Sequence, residues 1–400
     1  MSAFIDKPKE LIILTEHFSP STGATAQLVF DLAEDLHCSG VRLRVLTSTA
    51  GSTDYAYPVL RFSGSDSSAI GVLKKLINGL IFFGGSAVWL LANIHQNQSL
   101  LIVSNPPFIG LIGVLLSTLK KTSYVFLFQD IFPRSASLTG ILPAQGPLIL
   151  FWRLLLNAVL SRSRATVVLS SAMAKRCHLE FDADTRLESI PNWAIFPPHS
   201  TSKEQSSLAT QWNIQSSFTV QYSGNFGRLH EIMTILESAR LLQDNSVRFL
   251  FVGDGAKAVQ IHRYCSTYGL KNIITKPYQV RSLLSDSLAA CDLAIVSLIP
   301  GAEDTVAPSK FYGIIASSRP VILISSEDSE LSSLITQYQC GVVVPQGDVL
   351  KLSEAIVHLQ NNKDLVMNMG RNARELYEQK YGRSRSVSQY YRLFKQYGMI

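Results

Sequence analysis

Charge is scarce in this chain. Only 16% of its 400 residues are Asp, Glu, Lys or Arg, against 46% hydrophobic. That excludes a disordered polymer, which needs few apolar groups and a high net charge. No GxGxxG follows the first apolar run, which argues against a dinucleotide dehydrogenase. The five cysteines (Cys38, Cys177, Cys265, Cys291, Cys340) form neither CxxC nor a Cys/His cluster, so no zinc site is visible. Isolated thiols in odd number fit a reducing compartment. The opening MSAFIDKPKE lacks a long apolar core, and Leu11–Leu14 is too short to supply one, so no secretory signal is expected. Low-complexity tracts and repeats of solenoid length are also missing.

What is present is enough apolar material for two cores, and the length suggests two or three domains. Basic residues exceed acidic ones by 36 to 30, giving +6. The excess is local: from Arg371 onward seven basic residues face two acidic ones, a net +5. Such a tail is either a solvated helix face or a contact for an anionic membrane or phosphorylated ligand. Leu76–Ala92 (LINGLIFFGGSAVWLLA) follows Lys74 and Lys75 and borders on the length of a bilayer span. Asn78, three glycines and Ser86 dilute it. Three readings stay open: a buried or surface-seated helix, a monotopic membrane helix, and a true span.

The chain alternates strands and helices. Strands are expected at Leu11–Leu14, Val41–Thr47, Leu100–Val103, Tyr124–Phe128 and Ala165–Leu169. Helices are expected at Ala24–Leu36, Ile109–Leu119, Leu148–Ser161 and from about Ser171. Residues 190–217 break the pattern with prolines and a Ser/Thr/Gln-rich stretch, which reads as a linker. The alternation restarts with strands at Phe218–Tyr222, Val247–Val252, Ile273–Ile274, Leu293–Ser297, Val321–Ile324 and Gly341–Val344. Helices are expected from about Glu231 and over Leu350–Leu359. Apolar, non-alternating strands separated by helices imply an α/β fold of parallel sheets covered on both faces. The expected division is 1–195, a linker 196–217, a second Rossmann-like domain 218–375, and a basic C-terminal helix 376–400. Ligands of such sheets bind at the carboxyl strand ends, and two such domains would share a cleft.

Four strand-end loops carry the chemistry. Ser19-Pro20-Ser21-Thr22-Gly23-Ala24 is either an ordinary turn or a place where glycine lets the backbone approach an anion at a helix N-terminus. Tyr222-Ser223-Gly224-Asn225-Phe226-Gly227-Arg228 offers two glycines, an amide and an arginine able to clamp a diphosphate. The bland alternative for Arg228 is an ion pair with Glu231. Val252-Gly253-Asp254-Gly255 reads first as a tight turn, with backbone contact to a ligand as the alternative. The loop from Ile299 to Gly313 holds Glu303, Asp304, Ser309 and Lys310. Its carboxylates suit sugar hydroxyls, and a helix start with Lys310 suits phosphate. Ser309 could equally be a simple N-cap.

In this order the pieces resemble a known family. FSPSTGATAQLVFDLAEDL, SNPPFIG, FLFQDIFPRSASLTG, IPNW, YSGNFGRLHE, FVGDGAK, APSKFYGIIASSRPVI and CGVVVPQGD together are similar to GT-B-fold glycosyltransferases of the GT4 family. The likeness is greatest to the bacterial branch that builds exopolysaccharides and O-antigens, including colanic-acid-type enzymes. It spans residues 10 to 380.

The resemblance implies a retaining transfer of sugar from a UDP- or GDP-sugar to a saccharide acceptor, lipid-linked on the cytoplasmic leaflet. Arg228 and Lys310 would stabilise the diphosphate, and Gly224 and Asn225 would line the same pocket. Gly253, Asp254 and Ser309 would border the donor. Tyr278 would sit by the nucleobase, and Glu303 or Asp304 would face the donor sugar. Gly23 would approach the donor, and Asp130 would lie near the reaction centre or acceptor. The resemblance implies no dedicated metal and no cofactor beyond the substrate itself. No nucleic-acid partner is expected.

Two departures from the family pattern stand out. Where many members carry two glutamates separated by seven residues, this chain has Thr305 and Gly313. Where a lysine often follows the arginine, it has His230. Two other readings remain in play. A GT-B-fold sugar-nucleotide epimerase would need a carboxylate acid/base set, and a non-catalytic two-domain binding protein would need none.

Overall fold

The computed structural model describes residues 9–51, 54–62, 72–181, 186–198 and 201–400. The segment before Lys9 lies outside the described residues, as do 199 and 200 in the linker region. The chain forms two compact units. One takes the residues up to Ser137, Leu142–Pro191 and Ser384–Ile400; the other takes Leu138–Ile141 and Asn192–Arg383.

The first unit holds seven strands: β1 Glu10–Thr15, β2 Leu43–Thr47, β3 Val59–Arg61, β4 Gln98–Val103, β5 Tyr124–Phe128, β6 Ala165–Val168 and β7 Leu187–Ser189. They pair in the order β3-β2-β1-β4-β5-β6-β7. Every pairing is parallel, with Ile13 opposite Val45 and Leu101 opposite Val125. Central β1 is an unbroken apolar run because both faces are covered: Leu11, Ile12, Ile13 and Leu14 are all fully buried. The edge strands β3 and β7 have three residues each and too little apolar signal to be read from sequence.

The second unit holds β8 Phe218–Ser223, β9 Val247–Val252, β10 Ile273–Lys276, β11 Leu293–Ser297, β12 Val321–Ile324 and β13 Gly341–Val344. Their order is β10-β9-β8-β11-β12-β13, again all parallel. Alternate residues feed two cores. Val220, Tyr222, Phe249, Phe251, Leu293 and Ile295 face one side, while Ala294, Val296, Val321 and Leu323 face the other. Each such aliphatic or aromatic side chain contributes roughly 1.5–3 kcal/mol when fully buried.

The region read as a linker is structured where described. Helix Ser207–Gln211 packs Leu208 and Trp212 against Leu250 and Val252. Ahead of it, Lys203 is 5% exposed. Its Nζ donates to Thr219 Oγ1 at 3.0 Å and Asp292 Oδ2 at 2.5 Å, and also to the Ser217 carbonyl. The basic tail is divided between helices. Lys363–Leu376 is followed by a wide turn over Tyr377–Tyr381, then by Arg383–Gln396. Most of the last helix groups with the first unit, where Arg186 lies 5.8 Å from the Tyr397 ring.

The apolar stretch at Leu76–Ala92 is part of helix Val72–Asn93. The side chains of Lys74 and Lys75 lie outside the described ones. Gly79 lets the helix close on Pro106 and Phe108, and Gly85 lets it close on Phe62. Only 28% of Leu76–Asn93 is buried, so this is not a core helix.

Candidate functional site

The carboxyl ends of β8, β9, β11, β12 and β13 carry the polar loops of the second unit. Chain reversal after β8 needs Gly224 at φ +106, and after β9 it needs Gly253 at φ +138. The two loops lie back to back. The Gly224 N–H donates to the Val252 carbonyl at 2.8 Å, and a Cβ on Gly253 would stand 2.1 Å from the Gly224 carbonyl oxygen. No other residue fits at 253. The β9 loop thus braces the β8 loop. The Phe226 N–H donates to the Asp254 carbonyl, the Lys257 N–H to the Phe226 carbonyl, and Lys257 Nζ to the His230 carbonyl at 2.5 Å. The Asp254 carboxylate accepts from the Gly255 N–H at 2.7 Å.

His230 fixes the same turn. Its Nδ1 accepts from the Gly227 N–H at 3.1 Å, so a neutral ring must carry its proton on Nε2. Burial, reinforced by the Lys310 charge, pushes its pKa down to about 3. The sequence marked His230 as a departure from pattern, and the structure gives it a local task as an acceptor, which a lysine could not perform.

Lys310 enters this loop from helix Ser309–Ala316. Its Nζ donates to the Asn225 carbonyl at 2.8 Å and stands 4.4 Å from the centroid of the buried Tyr222 ring. The ammonium lies 3.4 Å from where a Cβ on Gly224 would be, so glycine leaves its approach open. Desolvation pushes the lysine pKa down to about 7. The side chain still keeps some contact with solvent, so the downward direction is firmer than the size of the shift.

Arg228 is exposed on the same loop. The ion pair weighed for it does not form, and Glu231 Oε1 instead accepts from the Thr234 N–H at 3.1 Å. Ser309 is not an N-cap: it is the first helical residue, Pro308 precedes it, and no side chain caps this end. The first backbone N–H groups of the helix are therefore left for another acceptor.

Glu303 is held from two strand ends. Its Oε1 accepts from the Ser326 N–H at 3.3 Å and from Gln346 Nε2 at 2.7 Å. Gln346, which the sequence reading did not single out, also donates to the Leu298 carbonyl. Asp304 Oδ1 accepts from Thr305 Oγ1 at 3.2 Å. Gly313 points away from these loops, with the Phe196 ring 3.2 Å from where its Cβ would stand. Tyr278 is half-exposed, and its hydroxyl donates to the Asp254 carbonyl at 3.1 Å.

In the first unit, Gly23 precedes helix Ala24–Cys38 at φ −63. A Cβ there would meet only Ser21 Oγ, at 3.8 Å, so neither backbone nor packing demands glycine. Asp130 follows β5. Its side chain reaches solvent, yet desolvation by the surrounding protein pushes its pKa up to about 6. The accessibility shows that it is not in a closed core, and the upward direction is the robust part. Among the described residues no three His, Cys, Asp or Glu side chains gather as metal ligands.

Residues 207–376 match the family model described as glycosyl transferases group 1. A Pseudomonas aeruginosa protein named a probable glycosyltransferase, WbjE, is 25% identical over 293 residues, covering 71% of this chain and 70% of that protein. Escherichia coli WcaI, named for glycosyl transfer in colanic acid biosynthesis, is 27% identical over 158 residues, 39% of each chain. Among solved structures, Anabaena HepE in complex with UDP-glucose superposes with a TM-score of 0.73 at 14% identity, covering 97% of this chain and 99% of that one. With a group 1 match across the loops just described, and two parallel-sheet units shared with such structures, the chain belongs with the GT-B-fold glycosyltransferases of group 1.

Proposed function

We infer that the chain is a retaining hexosyltransferase that moves a sugar from a nucleotide-diphosphate donor to a saccharide acceptor during assembly of a cell-surface polysaccharide. The observation that carries this reading is the meeting of Lys310 with Gly224 and Asn225, 2.8 Å from Nζ to the Asn225 carbonyl, with unpaired Arg228 on the same loop. Two cations beside glycine backbone and an uncapped helix start suit a diphosphate. UDP-glucose in HepE and the colanic acid role in the name of WcaI support a nucleotide-sugar donor and a polysaccharide product.

The proposed chemistry breaks the bond from the anomeric carbon to the diphosphate and forms one to an acceptor hydroxyl on the same face. The protein contributes position and charge: Arg228 and Lys310 stabilise the departing diphosphate, the step at which negative charge develops. Gly253, Asp254 and Tyr278 border the nucleotide. Glu303, oriented by Gln346 and Ser326, and Asp304 meet donor hydroxyls, and Ser309 lies at the phosphate end. Gly23 for donor approach and Asp130 on the acceptor side come from the family resemblance, as does a lipid-linked acceptor in the cytoplasm. Phosphate is neutralised without a dedicated metal.

A thermal-shift panel of UDP, GDP, ADP and their sugars tests the reading, because ligands of the folded state raise Tm. A shift with one nucleotide family that disappears in Arg228→Ala supports it, and no shift with any nucleotide refutes it. The anomeric configuration of the product, read by NMR, decides retention.

A further inference from the structure

The second unit accounts for the charged loops, but a large part of the first unit's surface has no role in sugar transfer. Three helices stand side by side there. Helix Gly110–Leu119 lies so close to helix Pro147–Arg162 that a Cβ on Gly110 would meet Val159 at 2.7 Å. The turn before it touches helix Val72–Asn93, where the Phe83 and Phe108 ring centroids are 5.5 Å apart. On their outer sides these helices expose large apolar residues: Leu80 at 52% and Val88 at 69% on one, Leu150 at 60%, Phe151 at 54% and Leu154 at 60% on another. The residues of each set recur at helical spacing, so each set forms a face. Scattered exposed leucines need no explanation, but a clustered face of this kind marks an interaction surface.

Charge identifies the partner. Residues 67–179 contain ten Lys and Arg and a single acidic residue, Asp130. The cations border the apolar face: Arg153 and Arg162 are exposed on the same helix as Phe151, and Lys120 and Lys121 follow the exposed Leu119. A face shared with another protein is depleted of charge at its core but has no reason to exclude acids around it for a hundred residues. An apolar face edged by cations alone fits an anionic bilayer, where side chains enter the acyl boundary and Lys and Arg meet headgroup phosphates.

We propose that the outer faces of helices Val72–Asn93 and Pro147–Arg162 seat the first unit on an anionic membrane surface, without crossing it. This goes beyond the transfer reading and stands without it. The test is flotation of the full-length protein with phosphatidylglycerol/phosphatidylethanolamine vesicles and with phosphatidylcholine vesicles. Binding to the anionic vesicles is expected to be at least about tenfold tighter and to weaken at least about fivefold in 0.5 M salt. The triple variant Leu150→Ser, Phe151→Ser, Leu154→Ser is expected to lose at least about tenfold in vesicle binding. Because all three residues are exposed, its Tm and its nucleotide-induced Tm shift are expected to stay the same.

No binding to anionic vesicles overturns the proposal, as does equal binding by the triple variant. A concentration-dependent dimer that the triple variant abolishes, without vesicle binding, also overturns it by assigning the face to a second copy. The nucleotide shift is read separately in every case, so failure of membrane seating and failure of the transfer reading are distinct results.

Discussion

In the first unit, the loops after β1 and β5 end in residues that touch little: Gly23 has open space around it, and the Asp130 side chain reaches solvent. In the second unit, the corresponding loops hold one another. Gly253 is wedged against Gly224, His230 pins Gly227, Lys310 spans to Asn225, and Gln346 secures Glu303. Both units are parallel sheets with helices around them, so the difference does not come from the architecture. It comes from where polar groups are spent. A site that must meet two phosphates in a fixed geometry gains from donors already held in place. A unit whose outer helices face an apolar phase needs few charges there.

One substitution made in both units should separate them most. Gly253→Ala is expected to destabilise the fold by at least about 3 kcal/mol, because φ +138 and a backbone oxygen 2.1 Å away both forbid the methyl group. Gly23→Ala, with φ −63 and open space, is expected to leave stability unchanged or raise it by about 0.4–1 kcal/mol, while lowering transfer if the donor packs on that backbone. Denaturant titration of the two variants reads the contrast, and equal losses would break it.

Next in size is the charge at the second unit's loops. Arg228→Ala and Lys310→Ala should each lower turnover at least about a hundredfold, the scale of a lost charge-stabilising donor. Near-normal rates in both folded variants would sink the assignment of these residues.

A pH series sharpens the same point. With its pKa pushed down to about 7, Lys310 loses its proton as pH rises through neutrality. UDP affinity measured by calorimetry is therefore expected to fall between pH 6 and pH 8. Lys310→Arg, always charged, should flatten that dependence. His230 acts at the other end of the scale: the folded state holds it neutral down to about 3, while the unfolded chain protonates near 6.5. Its contribution to stability is present above 6.5 and is lost as pH falls toward 3. A melting series on wild type and His230→Asn reads this. The smallest effect is expected for Gln346→Ala, about tenfold in kcat, the scale of one lost hydrogen bond to a charged group. Gln346→Glu should cost more, by setting a second carboxylate beside Glu303.

Much of the frame was legible in the residues. β5, β9, β11, β12 and β13 have the bounds their apolar runs suggest, since a strand covered on both faces leaves no other pattern. β3 and β7 were not legible, being three residues long at sheet edges. The helix read from about Glu231 starts at Met233, because Glu231 uses its carboxylate on Thr234 ahead of the helix. The segment 196–217 looks like a linker by composition, yet Lys203 and Trp212 tie it to the second sheet through partners up to 89 residues away. Polar composition says nothing about such distant partners.

For the site, the sequence singled out Gly224, Asn225, Arg228 and Lys310 as separate motifs. That Lys310 crosses 85 residues of chain to reach Asn225 is a property of the folded sheet alone. The same holds for Gln346 on Glu303 and for the bracing of one glycine loop by another. Short-range pattern, set by the apolar periodicity of strands and helices, determined by itself that this is a two-unit α/β protein with polar strand-end loops. Only the tertiary structure decided which of those loops touch, which glycines are irreplaceable, and which apolar helices remain uncovered. Those facts depend on contacts between residues far apart in sequence, and composition and spacing carry no record of them.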